Sequence, residues 1–166
     1  LPWSFGPVRN TTEIASSPGG NLFLVGDDGA IGCVTRLKTD GTRDPGMNPT
    51  PSMLGSVCDI ANGANGRILA AQPTANGGLV VAAITATDRF VARVDGLGGF
   101  QSTVLLGNYA GDGGQLLDVT PMSDGRTALL ETHDSGGATY VTIIDETGAF
   151  AGEWAVPAFD ALFSQL

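Results

Sequence analysis

The chain has 166 residues, enough for one domain with a substantial core, and its 42% hydrophobic and 15% charged content excludes a disordered polymer. Its 25 glycines follow no three-residue period, which excludes collagen and points to many tight turns between short strands. A formal net charge of −9 repels phosphate backbones, so nucleic acid is not an expected partner, and no apolar run approaches the length of a membrane span.

The chain begins at Leu1 without an initiator methionine or a signal peptide of its own. The expectation is a removed leader or a piece of something longer. From there the sequence divides into a short opening segment (1–11), three similar units (12–56, 57–110 and 111–157) and a tail (158–166). In the first unit an inner strand over 12–16 leads through Ser17-Pro-Gly-Gly-Asn21 into the apolar strand Leu22-Phe-Leu-Val-Gly26. An alternating strand, Val34-Thr-Arg-Leu37, ends in a polar turn at Gly41. Pro45, Pro49 and Pro51 then predict an edge or a loop, because proline cannot donate to a ladder.

The second unit repeats this grammar. An inner strand over 68–72 precedes Asn76-Gly-Gly-Leu-Val-Val-Ala-Ala83, followed by Phe90-Val-Ala-Arg-Val94, a turn at Gly98 and an outer strand over 101–106. The third has an inner strand over 116–120, a hairpin signal at Asp124-Gly125, Thr139-Tyr-Val-Thr-Ile-Ile144, a turn at Gly148 and an outer strand over 149–156. The turn glycines lie 57 and 50 residues apart, the length of a blade of four short strands with loop insertions. The tail predicts one short helical turn over 159–166.

The expected fold is therefore all-β: antiparallel repeats of about four strands, read as blades of a partial β-propeller, with a β-sandwich as the alternative. Three blades cannot close a ring. The expected partners are accordingly proteins, either further copies in a homo-oligomer or a larger multi-subunit assembly.

Residues 21–47 carry a resemblance. Asn21-Leu-Phe-Leu-Val-Gly26 followed by Val34-Thr-Arg-Leu-Lys-Thr-Asp-Gly-Thr-Arg-Asp-Pro45 resembles the delta-60-type repeat of bacterial exported proteins. Trp3-Ser-Phe-Gly6 is similar to the tail of the same motif and would close a preceding repeat. The second unit keeps Asp95-Gly96 but lacks the Asp-Pro, and the third has Ile143 in place of the arginine. The resemblance implies blade-like repeats, often in surface or secreted proteins, and no catalytic residues. Arg36, Gly41, Asp44, Arg93, Gly98 and Gly148 are then structural positions. Asp40-Gly41 fits a turn needing positive φ, and Arg36 and Arg93 are expected to pair with acidic groups on a neighbouring blade.

Chemical signatures are sparse. His133 is the single histidine, and it reads as part of an exposed hairpin loop running into Ser135-Gly136-Gly137. No nucleophile elbow, P-loop or dinucleotide fingerprint occurs, and no Cys/His cluster fits zinc. The expectation is a non-catalytic protein without a cofactor. The best cofactor candidate is calcium, on loop carboxylates Asp27, Asp28 and Asp112. Cys33 and Cys58 either form a disulfide or remain two buried thiols in neighbouring strands. The leading function is a structural or protein-interaction module of an extracellular, periplasmic or cell-surface assembly. The alternatives are carbohydrate binding on exposed aromatics (Trp3, Tyr109, Tyr140, Trp154) and a fragment of a propeller hydrolase.

Overall fold

The computed structural model describes residues 7–29, 31–49, 53–60, 66–108, 114–133 and 138–156. These residues contain strands and turns and no helix. The first sheet is β1 (Asn10–Ser16), β2 (Leu22–Asp27), β3 (Gly32–Leu37) and β4 (Ser56–Cys58). The middle sheet is β5 (Arg67–Pro73), β6 (Leu79–Ile84), β7 (Asp88–Val94) and β8 (Phe100–Asn108). The third is β9 (Gln115–Pro121), β10 (Thr127–His133), β11 (Ala138–Ile144) and β12 (Phe150–Val156). Each is an antiparallel four-stranded meander in sequence order, and the three are separate and do not close on one another. The first sheet packs on the middle one and the middle on the third, so neither the propeller nor the β-sandwich is singled out by the sheet order. The predicted C-terminal turn, Trp3 and Pro51 lie outside the described residues.

The repeat is visible in the backbone. The turn into each second strand carries a positive-φ glycine, Gly20, Gly77 and Gly125 (φ 81, 77 and 89°). The turn after each third strand carries another, Gly41, Gly98 and Gly148 (φ 80, 85 and 87°). In every case the glycine amide donates to the carbonyl three residues back, as Gly77 does to Thr74 at 3.1 Å and Gly148 to Asp145 at 3.0 Å. A Cβ would strain such a turn, which is why glycine marks it. The inner strands share a bulge as well, with the ladder stepping past Thr12, Leu69 and Leu117. Leu117 is 42% exposed because the bulge turns it out of the ladder.

The middle sheet is buried on both faces, which explains why Leu79–Ala83 is a continuous apolar run and not an alternation. On one face Leu79, Val81, Ala83, Phe90, Ala92 and Val94 pack with Phe23, Val25, Val34, Met47 and Val57 of the first sheet and its loop. On the other, Val80, Ala82 and Val91 pack with Leu116, Val119, Leu129 and Ile144 of the third sheet.

In the first sheet the described part of the proline-bearing stretch, residues 45–49, is a loop, and the fourth strand is short. It pairs only at Cys33–Cys58, Val34–Val57 and Thr35–Ser56. Cys33 and Cys58 are disulfide-bonded, closing a 25-residue separation worth about 3–4 kcal/mol by loop-closure entropy, and the buried Thr35 and Ser56 hydroxyls meet at 2.8 Å. The bond compensates for a brief ladder.

The strand-centre arginines do bridge sheets, but not to acids on a neighbour. Arg36 Nε forms an ion pair with Asp44 of its own unit at 2.8 Å, and its Nη1 donates to the carbonyls of Gly96 (2.7 Å) and Gly77 (3.3 Å). Arg93 Nη2 donates to the Gly125 carbonyl (2.7 Å) and to Thr127 Oγ1 (2.5 Å). Tight turns project backbone carbonyls outward, and a forked guanidinium can take two acceptors at once.

Candidate functional site

Where the middle and third sheets meet, a cleft of about 540 Å³ opens beside the packed seam. Strand alternation builds it. On β10, Leu129, Glu131 and His133 share the face turned toward the middle sheet, and on β11 so do Tyr140, Thr142 and Ile144. Glu131 lies opposite Tyr140, and Thr142 opposite Glu153 of β12. Arg89 of β7 completes the cleft from the other side.

The polar groups form one network that runs from core to solvent. Arg89 and Glu131 are 5% and 6% exposed, with Nη1 and Oε2 3.6 Å apart. The other Glu131 oxygen is 3.4 Å from His133 Nε2, which is also 3.3 Å from Glu153 Oε2. Thr142 Oγ1 donates to that same Glu153 oxygen at 3.3 Å. The imidazole stacks on Tyr140 with centroids 4.4 Å apart, which fixes its plane. A buried carboxylate is tolerable here because a guanidinium sits against it.

Chemically the network can hold a cation or pass a proton between imidazole and carboxylate. Glu131, His133 and Glu153 offer three ligand atoms within 4.8 Å of one another. With Arg89, and with His133 protonated, the same groups balance their own charge.

His133 thus departs from the loop reading: it is the last residue of β10, paired with Ala138, and its side chain is 43% exposed. Of the calcium candidates, Asp27 and Asp28 do not join this cluster. Asp27 accepts from Asn10 Nδ2 at 2.7 Å and from the Gly29 amide at 2.8 Å, and Asp28 accepts from the Ile31 amide at 3.0 Å, so both serve their hairpin. Asp112 and Tyr109 lie outside the described residues. Tyr140 stacks on His133 on the face that carries Glu131, whereas Trp154 is 59% exposed on the opposite face of the third sheet, opposite Val141 in the ladder. These two aromatics therefore form no common platform.

Sequence reasoning missed Arg89 and Glu153. A signal existed: Leu129 and Glu131 occupy successive inward positions of β10, and a charge inside an apolar alternation calls for a partner of opposite sign. Arg89 holds the corresponding place in β7, in step with Val91.

No family model matches the chain, and no curated protein matches it. Among solved structures, it is similar to a protein of unknown function from Bacteroides caccae whose crystal structure was determined at 1.35 Å resolution. The TM-score is 0.55 with 12% sequence identity over 90% of this chain. The likeness concerns the fold alone, and the chain spans 47%, about half, of that neighbour's length.

Proposed function

We propose that this chain is a non-catalytic structural and protein-interaction module of an extracellular or cell-envelope assembly, built as three successive blades of a β-propeller. One observation carries the reading. The middle sheet is covered on both faces, while the outer faces of the flanking sheets leave large apolar side chains open: Ile14 is 64% exposed on the first and Trp154 59% on the third. Blades stacked in this way call for neighbours at both ends. The disulfide suits an oxidising compartment. The resemblance of residues 21–47 to the delta-60-type repeat points the same way. On this reading the Arg89–Glu131–His133–Glu153 network is a polar lock between blades. Carbohydrate binding has weaker support, because Tyr140 and Trp154 face opposite ways.

The test is solution mass against concentration, by light scattering after size exclusion. The expected result is a mass that rises above 16.9 kDa with concentration, and a rise that is abolished by Ile14→Asp. A strictly monomeric chain at every concentration overturns the reading.

A further inference from the structure

The two seams inside the molecule follow one pattern. In the first, Arg36 reaches from the third strand of its sheet to the carbonyl of Gly77. In the second, Arg93 reaches from the third strand of its sheet to the carbonyl of Gly125. The register places both arginines alike, Arg36 opposite Phe23 and Arg93 opposite Val80. Both acceptors are the turn glycine that opens the second strand of the receiving sheet. Gly20 is that glycine in the first sheet, with the same φ and the same turn hydrogen bond, from its amide to the Ser17 carbonyl at 2.9 Å. The first sheet therefore presents the receiving half of a seam a third time.

The apolar positions repeat with it. Ile14 stands opposite Leu24, as Ala71 stands opposite Val81 and Val119 opposite Leu129. Ala71 and Val119 are 0% and 1% exposed beneath their neighbouring blade, but Ile14 is 64% exposed. Leu79, two residues beyond its turn glycine, is 0% exposed, as is Thr127, but Leu22 is 38% exposed. Ile14 and Leu22, whose counterparts are sealed beneath a neighbouring blade, are apolar and open here, beside Leu24 and Leu37, which are buried.

We infer that the outer face of the first sheet docks a further blade carrying an arginine at the centre of its third strand, whose guanidinium donates to the Gly20 carbonyl. The inference rests on the propeller reading and names the partner. A second copy of this chain is only a weak occupant, enough for association that rises with concentration. The face that it would offer belongs to the third sheet, where Ile143, opposite Ala128, stands in the arginine's place. The seam would then lose its charge-assisted hydrogen bond.

Ile143→Arg supplies what is missing and turns the chain into its own partner. Sedimentation equilibrium on the intact disulfide-bonded protein should show self-association at least tenfold tighter than in the wild type. Adding Ile14→Asp should return it to the monomer. A folded Ile143→Arg protein that associates no more tightly than the wild type overturns the inference. So does a wild type that already assembles as tightly, a result that would leave the interaction-module reading standing. Ile143 is buried, so Arg93→Ile provides a second measurement should the first variant not fold. It copies the third blade's residue into the middle one and should speed hydrogen exchange in β9 and β10 about tenfold. Unchanged protection there removes the arginine from the seam and overturns the inference.

Discussion

Toward the first sheet, the middle sheet presents Leu79, Val81, Ala83, Phe90, Ala92 and Val94, all at 3% exposure or less. Toward the third sheet it presents Val80, Ala82 and Val91, with Arg89 and Arg93 on either side of Val91. A single strand makes both faces, since β7 reads Arg89-Phe90-Val91-Ala92-Arg93-Val94 and alternate residues serve opposite neighbours. The comparison separates two ways of joining sheets. The first seam is an apolar contact clamped by Arg36 and by Glu13, whose carboxylate accepts from the Ala71 amide of the middle sheet at 2.7 Å. The second has an apolar centre flanked by Arg89 and Arg93, and beside Arg89 it stays open enough to leave a cleft. The difference predicts that the two seams fail differently when cut.

The largest effect belongs to the apolar seam. Phe90 is 3% exposed and packs in the cluster with Phe23, Met47 and Ile60. Phe90→Ala should lower unfolding free energy by about 3–5 kcal/mol, through lost transfer energy and a residual cavity, as measured by urea denaturation. No second substitution across the seam should restore it. A loss under about 1 kcal/mol would mean that this seam is not close-packed.

The charged seam should break nearly as badly but be repairable. Arg89→Met leaves Glu131 buried without its guanidinium and should cost about 3 kcal/mol, the low end for such a pair because the cleft admits water. Arg89→Met with Glu131→Leu should recover most of that loss, since apolar replacement of a buried pair is often neutral. Failure of the double variant to recover would show that His133 and Glu153 depend on Glu131 for more than charge balance. A coupling energy from the double-mutant cycle decides it.

How far the sequence showed this follows from the range of each signal. The repeated antiparallel strands and the turns at Gly41, Gly98, Gly125 and Gly148 were legible, because a turn glycine and an alternating strand are local features a few residues long. The short strand Ser56–Cys58 was not, because the loop after Gly41 hides it and only pairing with Cys33–Thr35 defines it. Arg36 and Arg93 were recognised as bridging positions, but their acceptors are backbone carbonyls, which no side-chain pattern reveals. The cleft was the least legible part. Arg89 and Glu131 lie 42 residues apart in sequence and meet only because two sheets stack.

The smallest expected effect concerns two turn carboxylates, Asp145 and Asp40, which test whether acid loosens the molecule at its turns first. The Asp145 carboxylate accepts from the Thr147 hydroxyl (2.7 Å) and the amides of Thr147 (2.8 Å) and Ala149 (2.9 Å), and these bonds hold its pKa below the usual 3.8. Thr42 does the same for Asp40, through its hydroxyl and its amide. A carboxyl with a depressed folded-state pKa stabilises the fold above its unfolded value, and that contribution is lost as pH falls through the folded value. The stability from these turns should therefore be constant from pH 7 to pH 5 and decline only below about pH 4. Asp145→Asn should be slightly less stable than the wild type at pH 7, with the gap narrowing only as pH falls below the ordinary carboxylate range and the wild-type carboxyl takes up its proton. Urea midpoints of both proteins at these pH values measure it. A gap that persists unchanged into acid would mean that the turn depends on the shape of the side chain at position 145 and not on its charge.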